Sequence, residues 1–166
     1  TKKFKKPKPK NIFDKWILSR LNTLIRELDQ KLDNYDVTMA ARLIEAFTIE
    51  DLSRWYIKMS RQRFQNPKTE KELKETSDTL SYVLITLSKI TAPFIPFLSD
   101  EIYKDLTKKL SCHLENWPKA DKNLINKKLE AEMVERRNII SEALAERINL
   151  GIRVRQPLRT ATLRPP

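Results

Sequence analysis

Residues Asn11 to Leu32 read NIFDKWILSRLNTLIRELDQKL. Phe13, Ile17, Leu21, Leu24, Leu28 and Leu32 fall at three- and four-residue steps, the spacing that gathers side chains on one face of an α-helix. Asn11 is placed to cap the first turn, and Asp14 stands at N3, where a carboxylate meets unpaired backbone N–H groups. The same period recurs downstream. Asp36 caps a second helix whose stripe is Val37, Ala41, Ile44, Leu52, Trp55 and Met59, ending in Arg61-Gln62-Arg63; Thr48 and Asp51 mark a kink or restart inside it. Asn66-Pro67 breaks the chain. Thr69 and Glu72 form a capping box for a third helix carrying Leu73, Leu80, Leu84, Leu87 and Thr91. Pro93 and Pro96 bracket a turn, and proline suits a helix start, so a fourth helix begins near Pro96 and uses Phe97, Ile102, Leu106 and Leu110.

Ser111 to Lys122 read as a loop anchored by Trp117. A fifth helix from about Asn126 presents Leu129, Met133, Ile140, Leu144 and Ile148, and stops at Gly151, where a left-handed residue is needed. Ile152-Arg153-Val154-Arg155 then alternates apolar and basic side chains, the period of an extended strand. Thr1 to Lys10 is lysine and proline around Phe4, a composition that cannot bury enough surface to order itself. The expected organisation is a basic tail over 1–10, a helical bundle over 11–150 and the start of a further region over 151–166. With no initial methionine, the 166 residues read as a piece of a longer chain.

Composition agrees with an all-α bundle of about five helices. The chain has one glycine, whereas sheet proteins draw on glycine for their turns. Its 33 Lys and Arg outnumber 22 Asp and Glu, a formal charge of +11. Such an excess favours polyanionic partners, nucleic acid foremost. One cysteine, Cys112, and one histidine, His113, exclude an internal disulfide and a four-ligand zinc site of the usual kind. Their adjacency argues against a thiol–imidazole pair, because sequence neighbours rarely face each other. Glycine-rich phosphate loops are excluded by the glycine count. No apolar run is long enough for a membrane span.

Arg54, Lys58 and Arg61 fall at i, i+4 and i+7 on the second helix, offset from its apolar stripe, and Arg63 extends that end. A row of cations at this spacing tracks the phosphates of a nucleic-acid strand; as a pattern alone it equally describes a solvated face. Arg147, Arg153, Arg155, Arg159 and Arg164, with Gln156 among them, form a second basic cluster. Arginine there suits bidentate contacts to phosphates or base edges.

Several ordered segments carry a family resemblance. Asp14-Lys15-Trp16-Ile17-Leu18-Ser19-Arg20-Leu21-Asn22, Asp51-Leu52-Ser53-Arg54-Trp55-Tyr56 with Arg61-Gln62-Arg63-Phe64, and the stretch Leu87 to Tyr103 (LSKITAPFIPFLSDEIY) resemble the anticodon-binding domain of class I isoleucyl-, valyl- and leucyl-tRNA synthetases. Ser111 to Pro118 (SCHLENWP) and Gly151 to Leu158 (GIRVRQPL) are most similar to the isoleucyl type shared by archaea, eukaryotes and some bacteria. The resemblance implies a helical module without chemistry of its own, lying along the anticodon arm of an isoleucine-accepting tRNA. It implies catalytic and C-terminal domains elsewhere in a cytoplasmic parent, which uses ATP and magnesium to ligate isoleucine. Arg54, Lys58, Arg61 and Arg63 would hold the RNA backbone, and Arg153, Arg155 and Gln156 would lie where the bundle meets the C-terminal part. Lys58-Met59-Ser60-Arg61-Gln62 echoes the KMSKS loop of the class, but sits mid-helix on a sound amphipathic period. The other readings are the same domain of a valyl or leucyl enzyme and, from another class, a basic helical protein-interaction module.

Overall fold

The computed structural model describes residues 6–160 and 162, and among them there are helices and no strands. Arg164, counted in the second basic cluster, lies outside them. The chain divides into two compact units, one up to Lys127 and one from Lys128 onward. The first holds α1 (Ile12–Asp33), α2 (Val37–Ala46), a π-helical stretch (Phe47–Ile57), α3 (Lys58–Gln65), α4 (Glu70–Thr91) and α5 (Pro96–Thr107); α6 (Lys127–Asn149) begins at the boundary. Since α2, the π stretch and α3 follow without a break, the helices form five rods, as the apolar periodicity implies.

α1 is the centre of the first unit, packed on α2, the π stretch and α4. From Trp16 to Ile25 every residue except Arg20 is buried, so this helix is covered all round and not along one stripe. Its polar residues survive burial because each has a partner. Asn22 donates Nδ2–H to the Leu18 carbonyl at 2.7 Å and accepts from the Asp121 N–H at 2.8 Å. Ser19 Oγ accepts from the Asn126 N–H at 2.8 Å. The loop after α5 is thereby pinned along α1, with Trp117 Nε1–H donating to Asp29 at 2.7 Å. Trp117 anchors the loop as expected, and it does so through its N–H. Lys6, within the expected tail, pairs with Asp121 of the same loop.

The caps fall where the sequence put them. Asn11 accepts from the Phe13 N–H at 2.9 Å, Asp36 from the Met39 N–H at 3.2 Å and Thr69 from the Glu72 N–H at 3.1 Å. Glu72 returns the contact one residue beyond the usual capping box, to the Lys68 N–H. Gly151 (φ 66°) closes α6: its N–H reaches the Ile148 carbonyl and the Ile152 N–H reaches that of Arg147, the paired bonds of a Schellman end. α1 ends in the same pair of bonds with Tyr35 (φ 56°) in glycine's place, and Lys108 (φ 58°) caps α5.

Three expected stripes differ in phase. In the rod from Val37 to Gln65 the buried line runs Ala40, Ile44, Phe47, Asp51 and Leu52, Tyr56, Ser60. The i→i+5 bonding of a π helix lengthens the turn, so buried positions recur every four or five residues there. Tyr56 therefore enters the core while Trp55 is half-buried. In α4, Thr76, Thr79, Val83, Thr86 and Ile90 face inward together with the expected Leu87, and Leu73 faces outward. The hydroxyls of Thr76, Thr79 and Thr86 donate to the carbonyls four residues earlier, each at 2.8 Å, and so need no outside partner. In α5 the inward residues are Ser99, Tyr103 and Thr107, with Phe97, Ile102 and the following Leu110 exposed. In the second unit Ile140, Leu144 and Ile148 of α6 are exposed, because its described residues include no second helix to cover them.

Candidate nucleic-acid interface

The first basic group stands on the rod from Val37 to Gln65. Arg54, Lys58 and Arg61 are all exposed. Arg54 shares its charge with Glu50, whose Oε1 accepts from Nη1 at 2.7 Å across one turn. Lys58 and Arg61 form no ion pair among the described residues.

Arg63 does not belong to that face. Its guanidinium makes a two-pronged contact with Asp14, Nη1 to Oδ1 at 2.8 Å and Nη2 to Oδ2 at 2.7 Å, and its side chain is only 11% exposed. Tyr56 donates its hydroxyl to the same Oδ1 at 2.8 Å, and Glu72 Oε1 stands 3.5 Å from Nε. Bonding to Asp14 pushes the Arg63 pKa up, and burial with the Asp14 charge pushes the Tyr56 phenol far above its ordinary range. The phosphate-binding role expected of Arg63 gives way to a structural one: it ties the end of α3 to the start of α1. The lone KMSRQ echo is likewise helical, since Lys58 opens α3.

The second basic group lies in the second unit, and it is not a strand. Gln156 N–H donates to the Arg153 carbonyl at 2.9 Å, closing a turn. The Arg147 guanidinium clamps that turn from α6, donating to the Gln156 carbonyl at 2.7 and 3.1 Å and to the Arg153 carbonyl at 3.4 Å. With no strand among the described residues to pair with, the segment turns, and Arg147 takes the Arg153 and Gln156 carbonyls instead. Arg153, Arg155, Gln156 and Arg159 are exposed around the turn.

Aromatic side chains differ in how far they could stack on bases. Trp16 and Tyr103 are buried, and Trp55 and Tyr82 are half-buried. The fully displayed rings are Tyr35 and Phe97, each 91% exposed. Neither stands out in the sequence: Phe97 sits on an apparent core stripe, and the left-handed backbone of Tyr35 has no residue-type signal.

Asp100, Cys112 and His113 place potential metal-ligand atoms within 4.8 Å of one another. Asp100 is already occupied, however: Oδ1 accepts from Ser111 Oγ at 2.6 Å and the Cys112 N–H at 2.9 Å, and Oδ2 faces Lys104 Nζ at 2.6 Å. These contacts hold its carboxyl well below the usual range. Burial and Asp100 push the Cys112 thiol up, opposite to what a nucleophile needs. The cluster latches the loop to α5. Beside it, Glu115 bridges Lys109 at 2.7 Å and Lys89 at 2.9 Å, which lowers its pKa to about 2.

Residues 14–162 match the family model described as the anticodon-binding domain of tRNA ligase. The chain is 43% identical over 154 residues to the isoleucine–tRNA ligase of Clostridium tetani, an alignment covering 89% of this chain and 15% of that protein. It is 43% identical over 148 residues to the enzyme of Porphyromonas gingivalis, covering 89% and 13%. With the Thermobifida fusca enzyme it shares 37% over 163 residues, 96% of this chain and 15% of the relative. The chain thus spans about one-seventh of the curated relatives it matches.

Proposed function

This chain belongs to the family of anticodon-binding domains of tRNA ligases, and from that premise we propose that it is the module of an isoleucine–tRNA ligase that lies along the anticodon arm of an isoleucine-accepting tRNA. The observation that carries the reading is the pair Lys58 and Arg61, exposed and without counter-ions among the described residues, on one rod of a chain with net charge +11. Burying a cation against another side chain uses up its charge; these two keep theirs for a polyanion. Arg54 joins them once phosphate competes with Glu50. Arg153, Arg155 and Gln156 supply a second contact, where arginines around a clamped turn suit phosphates and base edges. The likeness of Ser111 to Pro118 and Gly151 to Leu158 supports the finer assignment to the type shared by archaea, eukaryotes and some bacteria, while the relatives named above are bacterial.

ATP and magnesium are assigned to the remainder of a longer chain in the cytoplasm. Gly151 is the single glycine and serves to cap α6, so this chain offers no glycine-rich backbone cradle for a triphosphate. No helix among the described residues is long and apolar enough to cross a membrane. Affinity for a panel of purified tRNAs at two salt concentrations tests the reading. Isoleucine tRNA should bind, with log K falling by roughly 0.7 to 0.9 per phosphate neutralised for each decade of salt. Absence of salt-dependent binding to any tRNA would overturn it.

A further inference from the structure

Pro93-Phe94-Ile95-Pro96-Phe97-Leu98 is a run of six apolar residues, and all but Phe94 are exposed. Consecutive exposed apolar residues on a folded domain mark either a defect or a binding surface. α5 explains why this run cannot turn inward. Its inner face is fixed by polar bonds to its neighbours: Ser99 Oγ meets Thr91 Oγ1 at 2.8 Å, and Asp100 holds Ser111 and the Cys112 N–H. At about 100° per residue, Leu98 stands about 100° round the helix from Ser99, and Phe97 about 160° on the other side. Rolling α5 to bury either ring or branch would break the whole set of latches.

We propose that this knuckle, Pro93 to Leu98 with Ile102 beside it, is the surface on which the rest of the ligase chain docks; the inference rests on the module reading above. The Clostridium tetani relative is about six times as long as this chain, since 154 aligned residues cover 15% of it, and a module embedded in such a chain needs a face for its neighbours. The run contains no cation to hold a phosphate. The exposed charges next along α5 are of both signs, Glu101 and Asp105 with Lys104 and Lys108, and the two lysines already face Asp100 and Asp105, so the surroundings of the run form no basic patch for an RNA backbone. The fitting occupant is therefore an apolar protein surface with charges of both signs at its rim, supplied by the ligase itself.

The test is thiol labelling of the full ligase chain carrying Phe97→Cys or, separately, Leu98→Cys, with Lys74→Cys on exposed α4 as the reference and the unsubstituted ligase as background. Docking predicts that both knuckle positions label slower than the reference by about tenfold or more, without tRNA and independently of protein concentration. Labelling as fast as the reference overturns the proposal. Slowing that disappears on dilution assigns the surface to a second copy, and slowing only with tRNA present assigns it to RNA; either outcome overturns it as well. tRNA affinity of the same unsubstituted ligase is measured alongside. Loss of tRNA binding with the knuckle protected breaks the functional reading alone, and a native polypeptide of only 166 residues breaks both.

Discussion

Two arginines nine residues apart on one unbroken rod have opposite fates. Arg54 is exposed and pairs with the exposed Glu50 one turn away, whereas Arg63 is largely buried against Asp14, forty-nine positions away in sequence. The knot of Asp14, Tyr56 and Arg63 exchanges water for directed bonds and holds α1 and α3 together. The open face of Arg54, Lys58 and Arg61 leaves its charge in solvent. Identical side chains therefore stabilise the fold at one end of the rod and are available to a ligand at the other, and the difference lies in whether a carboxylate from another helix reaches them.

Breaking the knot should have the largest effect. Arg63→Ala leaves Asp14 buried without its charge partner, which costs about 3–5 kcal/mol; denaturant unfolding should show this, with Arg61→Ala within about 0.5 kcal/mol of the parent. Equal losses from the two would erase the distinction. The open face answers in binding. Lys58→Ala should leave unfolding unchanged, reduce the salt slope of tRNA binding by about one unit, and weaken cognate and non-cognate tRNA alike. Unchanged affinity and slope would make that stripe a solvated surface only.

A third measurement sharpens the contrast through pH. Glu115 has a folded pKa of about 2 against an ordinary 4.5. Because the folded value is depressed, its contribution is complete above pH 4.5 and is lost as pH falls from there towards 2. Thermal unfolding of Glu115→Gln should be flatter than the parent across that interval and lower above it; identical profiles would remove the Lys89–Glu115–Lys109 bridge from the account. The smallest effect is expected at Tyr35. Relief of the left-handed backbone is worth about 1–2 kcal/mol, and the greater freedom of an unfolded glycine returns about 0.5–1. Tyr35→Gly should therefore raise the unfolding midpoint slightly, and a fall would mean that the exposed ring supports the fold.

By itself the sequence determined the helical class, the five rods, the N-caps at Asn11, Asp36 and Thr69, and the glycine stop at Gly151. Each depends on near neighbours along the chain, through side-chain period or a cap bond spanning two or three residues. It also placed Arg54, Lys58 and Arg61 clear of the apolar stripe. Only the tertiary structure decided which faces are inside. Tyr56 replaced Trp55 in the core because π-helical turns change the period. Threonines entered the core of α4 because they bond to their own helix, and the Ser99–Tyr103–Thr107 line won over the apolar side of α5 because polar latches hold it. Arg63 left the basic row for Asp14, and Arg153 to Gln156 became a turn because Arg147, not a second strand, satisfied its carbonyls. In each case the deciding partner is either remote in sequence or a backbone carbonyl, and residue type alone reveals neither.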